Sequence, residues 1–290
     1  MTQVFYWDPT APTSRKARLT RGEVKAVFDA DDVRHLASAA GGDTWRIERR
    51  GKQSVVKIPT ADYKLSWVDR EVEGLKRGAC NNLVRLESVE GVTFSIGKRA
   101  VITFEYIDGL VVDQAIRTDR WPSTEEVRGL LRGVLSGLAV LHGRDAVHRD
   151  VKPANLALRD GDWFRPVILD LGLTRLLDAK GITTYPIAVG TAEFMAPEVI
   201  QGGRAERAAD LWSLGIVAFV LLAHDHPFYG GYSGRVNDFE ALERIEAGPA
   251  ALGADIPADL RSLIRRWLAV GPDDRGTALE AIAMLDGATA

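Results

Sequence analysis

Ala208 to Ala223 is the stretch that most restricts what this chain can become. It has helical composition, carries one charge (Asp210), and places apolar side chains on nearly every side of a 3.6-residue turn. A helix of that kind has no solvent face, so other elements must surround it. It is not a membrane span. Its most apolar part, Leu214 to Ala223, is ten residues long, against the roughly 20 that a bilayer requires. The reading is a buried central helix inside a helical body. The length of 290 residues allows one large domain or two lobes.

The chain changes character along its length. Residues 1 to 30 are mixed, with Pro9, Pro12 and a short basic cluster from Ser14 to Arg18. They read as an exposed N-terminal extension, and the cluster as a solvated face or a docking segment. From about Val33 to Ile107 the pattern is mostly strand-like. Thr44 to Glu48 alternates, Gln53 to Ile58 is β-branched, and Arg50-Gly51-Lys52 between them predicts a hairpin. Val92 to Ile96 and Ala100 to Tyr106 predict a second strand pair around Gly97-Lys98. Leu65 to Arg77 has helical spacing and stops at Gly78. After Asp108-Gly109 helices dominate: Glu125 to His142, with Ser123 or Thr124 as N-cap and Glu126 close behind, then Asp238 to Glu246, Pro257 to Ala269 and Thr277 to Leu285. The fold class is α+β and bilobal. A small antiparallel-sheet lobe with one helix (31–106) precedes a larger, mainly helical lobe (107–290), and a cleft between lobes is a usual place for a small ligand.

Composition removes several functions. The formal charge of −3 gives no basic field for nucleic acid. One cysteine, Cys80, excludes an internal disulfide and a multi-cysteine zinc site. The first ten residues lack the charged start and apolar core of a signal peptide. No membrane association is expected, and the location read from these features is cytoplasmic. His224 and His226 have no cysteine companion and precede Pro227-Phe228, which favours a loop role over a metal site.

The chemistry gathers between His148 and Arg175. Asp150, Asn155 and Asp170 supply hard oxygen ligands of the kind magnesium accepts, Lys152 adds a cation, and a carboxylate can orient a hydroxyl. Taken alone, such a loop can also be Asp and Asn capping turns.

Taken together with the rest, the chain resembles the eukaryotic-type (Hanks-type) serine/threonine protein kinases over about residues 33 to 287. His148-Arg149-Asp150 with Asn155 resembles the catalytic loop of that family, and Asp170-Leu171-Gly172 its metal-binding Asp-Phe-Gly, with Leu171 in place of Phe. The resemblance implies that Asp150 is the catalytic base, that Asn155 and Asp170 hold magnesium (manganese being the alternative), and that Lys152 lies near the transferred phosphoryl group. Lys57, in Val55-Val56-Lys57-Ile58, is the implied contact to the ATP phosphates, paired with Glu71, which the helix register favours over its neighbour Glu73. Phe104 to Ile107 resembles the hinge, with backbone groups of Glu105 and Ile107 on adenine, Phe104 as gatekeeper, and Asp113 as either a ribose contact or a helix N-terminal acid. The glycine-rich loop departs most. Of three glycines only Gly42 stands in place, Ala37 and Ala39 hold the other two positions, and Thr44 closes the motif. Alanine is the smallest replacement, and approach to phosphate then requires negative φ.

Gly190 to Glu198 resembles the end of an activation segment, with Thr191 on the substrate platform near Asp150 and Lys152. By the same resemblance Glu198 pairs with Arg275, Asp210 holds the catalytic-loop backbone, and Arg149 receives a phosphate on Thr183 or Thr184. The expected activity is transfer of the ATP γ-phosphate to Ser or Thr hydroxyls of protein substrates, switched on by autophosphorylation, which a homodimer would serve in trans. The alternatives are a pseudokinase that binds nucleotide or scaffolds, supported by the glycine-poor loop and Leu171, and a small-molecule phosphotransferase, which the Thr191 and Ala196-Pro197-Glu198 elements argue against.

Overall fold

The computed structural model describes residues 18–39, 42–60, 80–170, 175–176, 192–230 and 237–287. The expectations for the helix 65–77 with Glu71, for Leu171 and Gly172, and for Thr183, Thr184 and Thr191 lie outside these residues. Two compact units emerge. Of the described residues, 18–60 and 84–107 form the smaller and 80–83 and 108–287 the larger. The architecture is α+β, an antiparallel five-stranded sheet in one unit and a mainly helical second unit.

The sheet of the smaller unit contains β1 (Asp32–Ala39), β2 (Gly42–Arg49), β3 (Lys52–Pro59), β4 (Leu86–Phe94) and β5 (Gly97–Glu105), ordered β1-β2-β3-β5-β4. Arg50 and Gly51 both take positive φ, 52° and 73°. That is the conformation a two-residue hairpin needs to match strand twist, so Lys52 opens β3 and does not belong to the turn. The second hairpin turns at Ser95-Ile96. Gly97 and Lys98, expected in the turn, already pair with Phe94 and Thr93.

Strand alternation sorts the sheet into two faces. One carries Trp45, Ile47, Val56, Ile58, Phe94 and Val101 in a single core with Leu19, Val24 and Ala30. Thr44 and Lys57 are ladder partners and alternate with these residues, so they belong to the other face. Helix α1 (Arg21–Val27) covers the apolar face. Thr20 caps it, accepting from the Glu23 amide, and Glu23 accepts from both the amide and the hydroxyl of Ser95, at 2.6 and 2.9 Å. The exposed arm expected up to residue 30 is therefore not what residues 18–30 form. Val24 is fully buried, and one such valine contributes about 1.5–3 kcal/mol.

In the larger unit, α2 (Val112–Arg117) leads to α3 (Thr124–His142). Ser123 caps α3 in a box with Glu126. A three-stranded sheet, ordered β6-β8-β9, is built from β6 (Gly109–Val111), β8 (Leu156–Arg159) and β9 (Pro166–Ile168), and β7 (Ala146–Val147) pairs with β10 (Arg175–Leu176). Short α4 (Pro197–Ile200) precedes α5 (Arg207–Ala223), which is buried from Ala209 to Phe219 without a break. It packs on α3, on α7 (Ala258–Trp267) and on the 3-10 turn Pro272–Arg275. Helices α6 (Asp238–Glu246) and α8 (Ala278–Leu285) complete the unit, capped by Asn237 and Thr277.

Candidate active site

The loop that begins at His148 hangs from a buried carboxylate. Asp210, in the first turn of α5, has no exposed surface. Its Oδ2 accepts from the His148 amide at 2.9 Å and from His142 Nε2 at 2.8 Å, and its Oδ1 accepts from the Arg149 amide at 2.7 Å. Burial pushes the Asp210 pKa up. The His142 hydrogen bond, the charges of His142 and His148 and the Arg149 amide outweigh it, and the net direction is down. These bonds hold Arg149 at φ 73°, a left-handed conformation that costs a non-glycine residue energy unless its surroundings enforce it.

The next residues converge through the β8–β9 ladder. Leu156 pairs with Ile168, and the ladder runs one step further because the Leu169 amide donates to the Asn155 carbonyl at 2.8 Å. Asp170 is the residue that directly follows this bond. The His148 ring bonds the Leu169 carbonyl at 2.9 Å, tying this loop to the residue before Asp170. Asn155 Nδ2 donates to the Asp150 backbone oxygen and to Asp150 Oδ2, both at 2.8 Å. With the amide nitrogen committed, Oδ1 is the group that Asn155 can offer a cation. Lys152 Nζ lies 2.8 Å from the same Asp150 Oδ2. The other oxygen, Asp150 Oδ1, is buried and meets no donor among the described residues.

Among the described residues no three His, Cys, Asp or Glu side chains surround a point that could hold a metal. Asn155 and Asp170 fit a magnesium ion that draws its remaining ligands from phosphate and water, the habit of that ion. Cys₄ or histidine-rich coordination does not fit here.

In the smaller unit Lys57 and Thr44 share a sheet face, and Thr44 also pairs with Ala37 across β1–β2. Ala39 faces Gly42 across the same ladder. Gly42 has φ 149°, and a Cβ there would lie 2.3 Å from the Ile58 carbonyl, so only glycine serves. The Glu105 amide is taken by the Arg85 carbonyl at 2.9 Å, and its carboxylate accepts from the Arg85 amide. Ile107 is half-buried just beyond β5. Asp113 sits in the first turn of α2 and bonds Arg117 at 2.7 Å, which matches its reading as a helix N-terminal acid.

A third group surrounds residues 193–198. Arg275, 1% exposed, grips both oxygens of Glu198 at 2.8 and 2.9 Å. It also donates to the carbonyls of Ala208, Ala269 and Val270, and lies 4.9 Å over the Trp212 ring. Ser213 donates to the Phe194 carbonyl at 2.7 Å. His226 bonds the Glu193 carbonyl through Nε2 at 3.0 Å, while its Nδ1 accepts from the amides of Phe228 and Tyr229, both 3.2 Å. Two incoming amides require Nδ1 to be bare, so Nε2 carries the proton. Burial drives the His226 pKa down to about 4.

Motif reading did not reach His142, Ser213 or His226 as supports. Their partners lie 68, 19 and 33 residues away, and no local pattern marks them. His224, the companion of His226, caps α5 in the left-handed region and stacks on Trp121.

Comparison with known sequences gives this geometry a context. Residues 46–285 match the profile of the protein kinase domain. The serine/threonine-protein kinase PknA of Mycobacterium tuberculosis is 26% identical over 247 residues, 82% of this chain and 56% of that protein. The serine/threonine-protein kinase PkaA of Streptomyces coelicolor is 28% identical over 264 residues, 84% of this chain and 47% of that protein. A probable serine/threonine-protein kinase, PkwA of Thermomonospora curvata, is 35% identical over 182 residues, 62% of this chain and 23% of that protein. The chain spans about half the length, or less, of these curated relatives.

Proposed function

The chain belongs to the protein kinase family, and from that premise we propose that it transfers the γ-phosphoryl group of ATP to serine or threonine hydroxyls of proteins. The observation that carries the reading is the asymmetry of Asp150. Its Oδ2 is doubly engaged by Lys152 and Asn155, and its Oδ1 is buried with no donor among the described residues. A buried acceptor without a donor calls for one, and an acceptor's hydroxyl is that donor. Asp150 would orient this hydroxyl and take its proton as the oxygen–phosphorus bond forms. Lys152 would stay close enough to balance charge on the phosphoryl oxygens.

Lys57, on its sheet face, would hold the ATP phosphates, with Glu71 as its partner. The Glu105 carbonyl and Ile107 would meet adenine. Asn155 and Asp170 would hold magnesium, which supplies charge neutralisation between the phosphates when bound. Phosphoryl transfer of this type depends on alignment and electrostatics more than on covalent help. The bonds fixing Asp150, Asn155 and Leu169 supply alignment. Thr191 would contact the acceptor residue, and Thr183 or Thr184, once phosphorylated, would dock on Arg149. Autophosphorylation in trans within a homodimer and a cytoplasmic location complete the proposal. Among the described residues no helix is long and apolar enough to cross a membrane.

The test is phosphate incorporation from ATP and magnesium, read by mass spectrometry on wild type, Asp150→Asn and Asp170→Ala. Phosphate on Thr183 or Thr184 of wild type alone is the expected result. Equal phosphate on all three proteins, or none on wild type, would remove the reading. If wild type incorporates none and yet shows a thermal shift with ATP and magnesium, the chain is a nucleotide-binding pseudokinase.

A further inference from the structure

A buried polar cluster joins β1 and β2 near their adjacent ends. Ser38 and Asp43 are direct ladder partners, and both are buried, at 4% and 2% exposure. Ser38 donates its hydroxyl proton to Asp43 Oδ1 at 2.8 Å, so a Ser38 lone pair meets His35 Nε2, also at 2.8 Å. The His35 ring packs edge-on against Trp45, 4.9 Å between centroids. Arg18, just before α1, adds two bonds from outside the sheet. Its amide donates to Asp43 Oδ2 at 2.8 Å and its guanidinium to Oδ1 at 3.1 Å. Asp43 therefore receives three donors, two of them from one residue of the N-terminal segment. Asp43 alternates along β2 with Thr44, the partner of Lys57, so this cluster lies on the sheet face opposite Lys57.

Elementary conformational physics gives the cluster a purpose. A loop with three glycines reaches phosphate through backbone freedom, and it loses entropy when it settles there. Here two of those positions are alanine, Ala37 and Ala39. A loop with less freedom must be built in its working shape, and fixed contacts at its two ends do that. Buried charge-assisted hydrogen bonds suit this use, because a displaced Asp43 would leave a buried carboxylate unpaired.

We propose that Asp43 is a positioning residue for the ATP phosphates, and that Arg18 makes the N-terminal segment a tether on the nucleotide loop. The inference rests on the reading of residues 37–44 as that loop. It adds a regulatory consequence: whatever displaces the segment at Arg18 weakens ATP binding without touching the catalytic loop.

The experiment measures the Kd of ATP with magnesium by calorimetry, and KM for ATP and kcat in autophosphorylation, on the full chain. Asp43→Asn and Arg18→Ala are expected to weaken ATP binding and raise KM by about tenfold, the scale of one hydrogen bond to a charged group, while kcat at saturating ATP changes less than about twofold. Arg18→Lys, which keeps the cation, is expected to recover most of the affinity. Arg21→Ala removes a neighbouring ion pair with Asp32 that is largely exposed and is expected to leave ATP affinity unchanged. Melting temperature is read on every variant. A folded Arg18→Ala protein with wild-type ATP affinity overturns the proposal and leaves the cluster a fold element. Equal losses in Arg21→Ala and Arg18→Ala also overturn it. If wild type itself binds no ATP, the parent reading of the loop falls and takes this inference with it, an outcome distinct from the other two.

Discussion

His226 gives the protein a dependence on mild acid that can be worked out from its surroundings. The ring is 3% exposed and stacks on Tyr229, 4.4 Å between centroids. Its bare Nδ1 faces two amide donors, so a second ring proton has no acceptor. The unfolded chain binds that proton below pH about 6.5, whereas burial delays it in the folded chain to about pH 4. Between these values the unfolded state holds more protons, so stability rises with pH. The contribution is fully present above pH about 6.5 and is lost as pH falls toward 4. A difference of about 2.5 units corresponds to about 3 kcal/mol. Glu193 acts in the opposite sense. Burial raises its pKa, so acid relieves a cost that its ionised form imposes, and Glu193→Gln is expected to steepen the loss on acidification. Tyr229, pushed up to about 12 by burial and by the Glu193 charge, with Arg244 opposing, stays neutral throughout. Asp210, held below its usual range, enters only below pH about 4. The assay is urea unfolding followed by tryptophan fluorescence at pH 7.5, 6.5, 5.5 and 4.5, on wild type and His226→Phe. The variant should be less stable by about 2–3 kcal/mol at pH 7.5, having lost three ring hydrogen bonds, and the two curves should converge by pH 4.5. Parallel curves across that range would refute the assignment of a buried, neutral His226.

Three further outcomes follow from the packing. Glu198→Ala strands the buried Arg275 guanidinium and should cost about 3 kcal/mol, a fall of about 6 °C or more in Tm; the double variant Glu198→Leu with Arg275→Met should recover much of this, by differential scanning calorimetry. Asp150→Asn should lower kcat at least about 100-fold, the usual scale of a lost general base, with Tm little changed. Val24→Asp buries a carboxylate against the sheet and should destabilise the smaller unit by about 3 kcal/mol, seen as early loss of amide protection in β2 and β3 during hydrogen exchange.

What could be read beforehand was what local periodicity encodes. Asp238–Glu246 is the same helix in sequence and structure, because its cap, its charges and its apolar stripe are contiguous. The all-apolar run around Leu214 becomes the buried α5 for the same reason. Lys57, Asp150, Asn155 and Asp170 were singled out through ordered motifs, and the β8–β9 ladder shows how Leu169, the residue before Asp170, comes against Asn155. The hairpin at Ser95-Ile96 was displaced by two residues because Gly97 can open a strand as readily as it can form a turn. Helix α1 was missed because seven residues with one fully buried side chain carry little periodicity. Its burial depends on Trp45, Val56 and Phe94, far along the chain. Asp43 was not singled out for the same reason: its donors, Arg18 and Ser38, are revealed only by folding.

The buried carboxylates show how scaffold and chemistry differ in such a site. Among the described residues three aspartates are buried: Asp43, Asp150 and Asp210. Asp43 and Asp210 each receive three donors shared over both oxygens. Among the described residues Asp150 receives its side-chain donors on Oδ2 alone, and its buried Oδ1 has none. An unfilled buried acceptor costs about 1–3 kcal/mol, so a protein selected for stability alone would fill it. Replacement by Asn should therefore separate the three. At Asp43 and Asp210 it removes charge from fully used hydrogen bonds, and chemical denaturation should show clear losses. At Asp150 an asparagine keeps one oxygen for Lys152 and Asn155 and alters chiefly the oxygen that no described residue bonds, so the loss should appear mainly in turnover. Comparable destabilisation at all three positions would mean that Asp150 Oδ1 is satisfied in the folded chain, and the argument that it waits for a substrate hydroxyl would fail.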